Sequence, residues 1–186
     1  MTEANSLKWV ICSPAKTGSY SIERTLISKM EIAHKWKTQN RVGTFYDGKA
    51  KERILVVRNP LDKWASMYWF MKEVHGKGRT IWMGKHTNSI ENFATHWLEA
   101  VRNNPHANWT DSYSDMALKF KPSKVFKLES LKFDLEGLLG YEVELLHANK
   151  TGFKLPWKET KKELSKKNLD GIMAWAKPDL KRFNYE

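Results

Sequence analysis

Hydrophobic and polar positions along the chain follow two periods. Short apolar runs bounded by charges and turn residues read as buried strands, and apolar residues three and four apart read as helices. The run Leu7-Lys8-Trp9-Val10-Ile11-Cys12 stops at Ser13-Pro14 and predicts a strand. Ile22, Leu26, Ile27 and Met30 then recur at helical spacing, so a helix is expected from Ser19 to Met30. Glu31 to Trp36 predicts a second strand. Arg53-Ile54-Leu55-Val56-Val57-Arg58 is the clearest strand, β-prone residues between charged ends. Asn59-Pro60 breaks it, and either residue can start the Trp-rich amphipathic helix expected over Leu61 to Met71. Glycines and charges between Val74 and His86 predict an exposed loop. Phe93, Trp97, Leu98 and Val101 share one face of a helix over Ile90 to Val101, and Asn103 to Ser114 is turn-rich. Lys124 to Leu128 predicts a strand and Ser130 to Leu139 a helix. A basic helix is expected around Lys158 to Trp175, before the closing Pro178-Asp179-Leu180-Lys181-Arg182-Phe183-Asn184-Tyr185. Strands alternating with helices predict an α/β fold in one domain over residues 1–186. Its expected form is three layers, a mostly parallel central sheet flanked by helices, with a P-loop-like strand–loop–helix at the N-terminus. Ligands of such sheets bind beyond the carboxyl ends of the strands.

Composition narrows the class. With 41% apolar and 28% charged residues in 186, the chain is not intrinsically disordered. The single cysteine, Cys12, excludes an intrachain disulfide framework and a Cys-rich zinc module. No apolar run approaches the roughly 20 residues of a membrane helix. The start, Met1 to Ser6, carries an acid and no apolar h-region, so the expectation is a soluble, cytoplasmic protein. The net charge of +11 favours polyanions: nucleic acid, acidic glycans or a nucleotide. The cluster Lys158, Lys161, Lys162, Lys166 and Lys167 reads as a solvated helix face. Most of the nine Trp residues are expected in cores, although Trp64, Trp69 and Trp82 leave stacking on a base or sugar open.

The first chemistry-bearing segment lies between the first strand and its helix: Ser13-Pro14-Ala15-Lys16-Thr17-Gly18-Ser19-Tyr20-Ser21. A sharp turn at Gly18 lets the backbone approach an anion. Amides at the start of the following helix point at that anion, and the helix dipole favours negative charge there. Thr17, Ser19 and Ser21 add hydroxyls and Lys16 a mobile positive charge. This is not the nucleoside-triphosphate loop, which needs Gly, four residues, then Gly-Lys-Ser/Thr; here Lys16 precedes Gly18.

The second segment is Val57-Arg58-Asn59-Pro60, with Ser66 further along the following helix. A guanidinium fork at a strand's carboxyl end, joined by a hydroxyl, suits a terminal phosphate. On these two blocks the chain resembles the sulfotransferases that use 3′-phosphoadenosine 5′-phosphosulfate (PAPS) and release PAP. Lys127-Leu128-Glu129-Ser130-Leu131 and the closing Asp179, Phe183 and Tyr185 are similar to later segments of that family, the second to carbohydrate sulfotransferases. The chain departs from the family in Ala15, between Pro14 and Lys16, and in the bulky Tyr20.

The resemblance implies in-line transfer of a sulfuryl group from PAPS to an acceptor hydroxyl or amine, without a metal. Ala15, Lys16, Thr17, Gly18, Ser19, Tyr20 and Ser21 would hold the 5′-phosphosulfate, with Lys16 neutralising the leaving oxygen. Arg58 and Ser66 would hold the 3′-phosphate. His34 is the expected general base, being the His between the two blocks, with Glu31, Asp47 and Glu52 as rivals. His75, His86, His96 and His106 are left to an acceptor groove or to water, and Lys150 and Thr151 to a late cofactor loop or the surface. The implied partner is an acceptor, with a saccharide or small metabolite favoured and a lipid or peptide tyrosine left open; no membrane partner is expected, and nucleic acid is disfavoured. Two other classes stay open on the residues: a small-molecule P-loop kinase, disfavoured by the absent triphosphate motif, and a non-catalytic nucleic-acid or polyanion-binding protein.

Overall fold

The structure, a computed structural model, describes residues 9–18, 21–22, 33–34, 52–79, 83–103, 110–145 and 157–186. In chain order the elements are β1 (Trp9–Cys12), β2 (Ala33–His34), β3 (Glu52–Val57), α1 (Pro60–Gly76), α2 (Ile90–Asn103), α3 (Tyr113–Phe120), β4 (Lys124–Lys127), α4 (Leu131–Leu139), α5 (Trp157–Thr160) and α6 (Lys166–Arg182). Short 3-10 turns lie at Gly84–His86, Leu128–Ser130 and Lys161–Glu163. The fold is α/β, as the alternation predicts. The chain groups into two compact units: Met1–Arg58 with Asp115–Lys150, and Asn59–Ser114 with Thr151–Glu186.

The first unit holds a parallel sheet in the order β2-β1-β3-β4. Ile11 pairs with His34, Cys12 with Leu55 and Val57 with Lys127. Because every pairing is parallel, the carboxyl ends of all these strands share one end of the sheet. Ile54, Leu55, Val56 and Val57 are all fully buried, the continuous apolar run that a central parallel strand requires. Ile11, Ile22, Ile54, Val56, Phe126, Leu131, Leu135 and Val143 form the core of this unit. Each such side chain contributes roughly 1.5–3 kcal/mol by leaving water.

The second unit has an aromatic helical core. Asn59 caps α1, its Oδ1 accepting from the Leu61 N–H at 3.0 Å, and Pro60 occupies the first helical position. Leu61, Trp64, Met67, Tyr68 and Met71 of α1 pack with Ile90, Phe93 and Trp97 of α2 and Ile172, Ala176 and Leu180 of α6. Trp64 meets Phe93 at 5.6 Å and stands edge-on to Trp157 and Trp97 at 5.9 and 6.2 Å. Such pairs add about 0.5–1.5 kcal/mol beyond the area they bury. Glu91 of α2 accepts from the Ser165 N–H at 2.9 Å and from Asn168 Nδ2 at 2.8 Å, which ties α2 to the start of α6.

Several boundaries differ from the sequence reading. α1 runs through Gly76 instead of ending near Met71, because no Gly or Pro interrupts residues 72–75. A helix, α3, stands where only turns were expected up to Ser114; its buried Tyr113, Met116, Ala117 and Phe120 follow helical spacing. The basic helix expected from Lys158 is divided at Leu164-Ser165, where Ser165 Oγ accepts from the Asn168 N–H and begins α6. α6 continues through the exposed Pro178 to Arg182. The strand expected over Glu31 to Trp36 is seen at Ala33–His34. The helix after the first loop is seen at Ser21 and Ile22, and residues 23–32 lie outside the described residues. Among the described residues no helix is long and apolar enough to cross a membrane.

Candidate anion-binding site

The loop after β1 is closed by its own hydrogen bonds. The Thr17 N–H donates to Pro14 O at 3.2 Å, and Thr17 Oγ1 donates to the same carbonyl at 2.5 Å. Ser13 Oγ lies 3.0 Å from Thr17 Oγ1. Thr17 is fully buried, so its hydroxyl braces the turn and does not face outward as a ligand donor. Ala15 is also buried, whereas Lys16 and Gly18 are half-buried. Lys16 has φ 67° and Gly18 φ 76°, both left-handed. That conformation is open to glycine but costs a residue with a Cβ about 1–2 kcal/mol. Gly18 has a second constraint: a Cβ there would lie 2.7 Å from Leu128 Cδ1. The Ile22 N–H donates to Gly18 O at 2.9 Å, the first helical bond after the turn. Ser21 is half-buried in that turn; Ser19 and Tyr20 lie outside the described residues.

Arg58 follows the last residue of β3 and belongs to the same unit as the loop. Its Nη1 donates to Lys16 O at 3.4 Å. The convergence follows from topology: β1 and β3 are parallel neighbours, so the segments after Cys12 and after Val57 emerge side by side. The two cations singled out from the sequence thus belong to one end of one sheet. His34 closes β2 and is the register partner of Ile11, so its backbone lies at that end too. Glu52 is corrected as a rival base. It begins β3, about 16 Å of strand from Val57, and is ion-paired with Lys124 at 2.8 Å. Glu31 and Asp47 lie outside the described residues.

Ser66 belongs to the second unit, on α1. It is buried, and its Oγ has no hydrogen-bond partner among the described residues. A buried hydroxyl in that state normally has a water or ligand on it. Trp64 is core; Trp69 is half-buried, its Nε1 donating to Thr160 Oγ1 at 3.3 Å and its ring meeting Tyr68 and Lys72 Nζ. Trp82, His106, Lys150 and Thr151 are outside the described residues. His75 is exposed, and His86 and His96 stack on each other with centroids 3.7 Å apart. Lys158, Lys161, Lys162, Lys166 and Lys167 are all exposed, a solvated face. Burial pushes the Cys12 thiol up to about 12, which removes it as a nucleophile.

The closing segment does structural work. Asp179 is buried and accepts from the Tyr113 N–H at 2.7 Å, the Ser114 N–H at 2.8 Å and Ser114 Oγ at 2.6 Å. A carboxylate from α6 thereby caps the first turn of α3, and Phe183 stands edge-on to Tyr113. Beside this clasp lies a residue the sequence reading did not single out. Lys63 of α1 is fully buried, donates from Nζ to Asp111 O at 3.2 Å and sits 4.3 Å over the Tyr113 ring. Burial lowers its amine to about 8, against the opposing pull of Asp179 and Asp111. The signal was a lysine between Leu61 and Trp64, one turn before Met67, on the buried stripe of the helix.

No family model matches the sequence, and no curated protein or solved structure matches it. The chemistry of the site is therefore read from its own residues.

Proposed function

We propose that the protein is a sulfotransferase that uses PAPS and passes its sulfuryl group to a hydroxyl or amine of a saccharide or small molecule. One observation carries the reading: the Lys16 loop and Arg58 meet at the carboxyl ends of adjacent parallel strands, with the guanidinium 3.4 Å from the loop's carbonyl. The donor set fits a ligand with phosphate at both ends. The loop offers the ammonium of Lys16 and the backbone amides around the left-handed Gly18, and Arg58 offers a planar fork.

PAPS supplies an activated sulfuryl group; the rest of the chemistry falls to this chain. The amides that follow Thr17, from Gly18 to Ser21, hold the 5′-phosphate and orient the sulfur for in-line attack. Lys16 stabilises the charge that builds on the leaving phosphate oxygen as its bond to sulfur breaks. Arg58 holds the 3′-phosphate; a part for Ser66 rests on the family resemblance alone. His34 takes the proton from the acceptor as the new bond to sulfur forms. Thr17 itself is a brace of the loop and not a phosphate donor, because its amide and its hydroxyl are both bonded to Pro14 O.

The test is labelled PAPS with a panel of glycans and metabolites, alongside thermal unfolding with PAP. At 100 times its dissociation constant PAP adds about 2.7 kcal/mol, or about 5–10 °C. Lys16→Ala should lower transfer by about 10²–10³-fold without changing the melting temperature by more than about 1 °C. Stabilisation by ATP with magnesium but not by PAP would favour a kinase. Salt-sensitive nucleic-acid binding that ignores Lys16→Ala would favour a polyanion-binding protein.

A further inference from the structure

We infer that Arg58 is a positioning residue for the loop at residues 13–18 as well as a grip on the ligand, so that one guanidinium couples the two ends of the bound nucleotide. For the identity of the ligand this rests on the sulfotransferase reading; for the loop it rests on geometry alone. Lys16 is held at φ 67°, a conformation that a side-chain-bearing residue keeps only when its surroundings enforce it. The loop's internal bonds join Ser13, Pro14 and Thr17, and Pro14 O takes both the amide and the hydroxyl of Thr17. They brace the turn on the β1 side. The Lys16 carbonyl instead accepts from Arg58, a bond that spans 42 residues of chain. Arg58 follows the fully buried Val57, so its main chain is anchored in the sheet. The bond therefore references a strained loop residue to the rigid end of β3.

The geometry of arginine makes this a coupling. The guanidinium is a planar fork, and one arm on Lys16 O leaves the remaining donors for an anion. An anion on those donors fixes the side chain and with it the loop carbonyl. A 3′-phosphate then favours the loop geometry that the 5′-phosphate needs, and by reciprocity the converse holds. A lysine at this position keeps the charge but lacks the fork, so it cannot serve both groups in fixed geometry.

The test compares PAP with 5′-AMP, which lacks the 3′-phosphate, on wild type, Arg58→Ala and Arg58→Lys. Titration calorimetry reads affinity, thermal unfolding reads the fold, and amide hydrogen exchange on ligand-free protein reads the loop. Arg58→Ala should weaken PAP by about 100-fold or more through the lost charged contact. It should also weaken 5′-AMP by about tenfold, although that ligand lacks the 3′-phosphate assigned to Arg58. Exchange at the Thr17 amide should speed up by about tenfold with no ligand present. Arg58→Lys should recover part of the PAP loss and none of the 5′-AMP loss. Unchanged 5′-AMP affinity with unchanged Thr17 exchange would overturn the coupling. So would an equal loss for both ligands with a lowered melting temperature, which is what plain destabilisation produces. If wild type binds neither nucleotide, the sulfotransferase reading and the coupling between phosphates fall together, and Thr17 exchange in Arg58→Ala still decides whether Arg58 holds the loop.

Discussion

Replacing Gly18 with alanine separates two reasons for a glycine at the turn. The first is conformational: at φ 76° an added Cβ costs about 1–2 kcal/mol wherever the turn is placed. The second is steric: the Cβ would lie 2.7 Å from Leu128 Cδ1, closer than real contacts allow. Leu128 is half-buried and Cδ1 is a terminal methyl, so it yields by turning away from its rotamer, which adds about 1–1.5 kcal/mol. The sum is about 3 kcal/mol, a fall of about 6–12 °C in melting temperature. Urea unfolding followed by circular dichroism reads the loss as a lower midpoint at unchanged slope. The Leu128→Ala background distinguishes the two parts. There the clash is gone and the φ penalty stays, so Gly18→Ala should cost about 1–1.5 kcal/mol less than in wild type. Additive behaviour of the two substitutions would show that Leu128 does not bear on residue 18. A Gly18→Ala protein within about 0.5 kcal/mol of wild type would refute the left-handed geometry itself.

Lys16→Gly should stabilise the protein by about 1 kcal/mol, because glycine relieves the strain at φ 67°, and on the proposed function it should also abolish transfer from PAPS; urea unfolding and the labelled-PAPS assay read the two effects on one sample. Asp179→Ala should destabilise by about 3–5 kcal/mol, since it leaves the Tyr113 and Ser114 donors buried without their carboxylate; the same unfolding curve reports it. The Lys63 amine sits near 8 in the fold against an ordinary 10.5, so between those values the unfolded chain binds more protons than the folded one. Stability should therefore rise across that window, by at most about 3 kcal/mol from this group. Lys63→Met should flatten the rise, and equal slopes for the two proteins would show that Lys63 is not buried as a cation.

Much of the scaffold is local information. The run Ile54 to Val57 is apolar without alternation, which suits a strand covered on both faces, and it is the most buried strand found. Asn59-Pro60 announces a helix start because capping and the fixed φ of proline act within a few residues. Lys16 and Arg58 were legible for the same reason: each stands where a strand ends, and parallel strands end together. α3 was overlooked because Asp111, Ser112, Ser114 and Asp115 read as the end of a turn-rich stretch. The donors at Tyr113 and Ser114 in its first turn are satisfied by Asp179, 66 residues beyond Tyr113, a contact that no local pattern shows.

The sequence alone determined the strands and most of the helices, though not α3 or every helix boundary, together with where cations precede or follow a strand and that a glycine turns the first loop. Those properties depend on side-chain period and backbone sterics over a few residues. Only the tertiary structure decided that Thr17 turns its hydroxyl inward, that Arg58 reaches the Lys16 carbonyl, that Glu52 lies at the wrong end of its strand, and that Lys63 is enclosed by Asp111 and Tyr113. Each of those depends on contacts between residues far apart in the chain, fixed by strand order and by the packing of each core, and no short-range pattern encodes them.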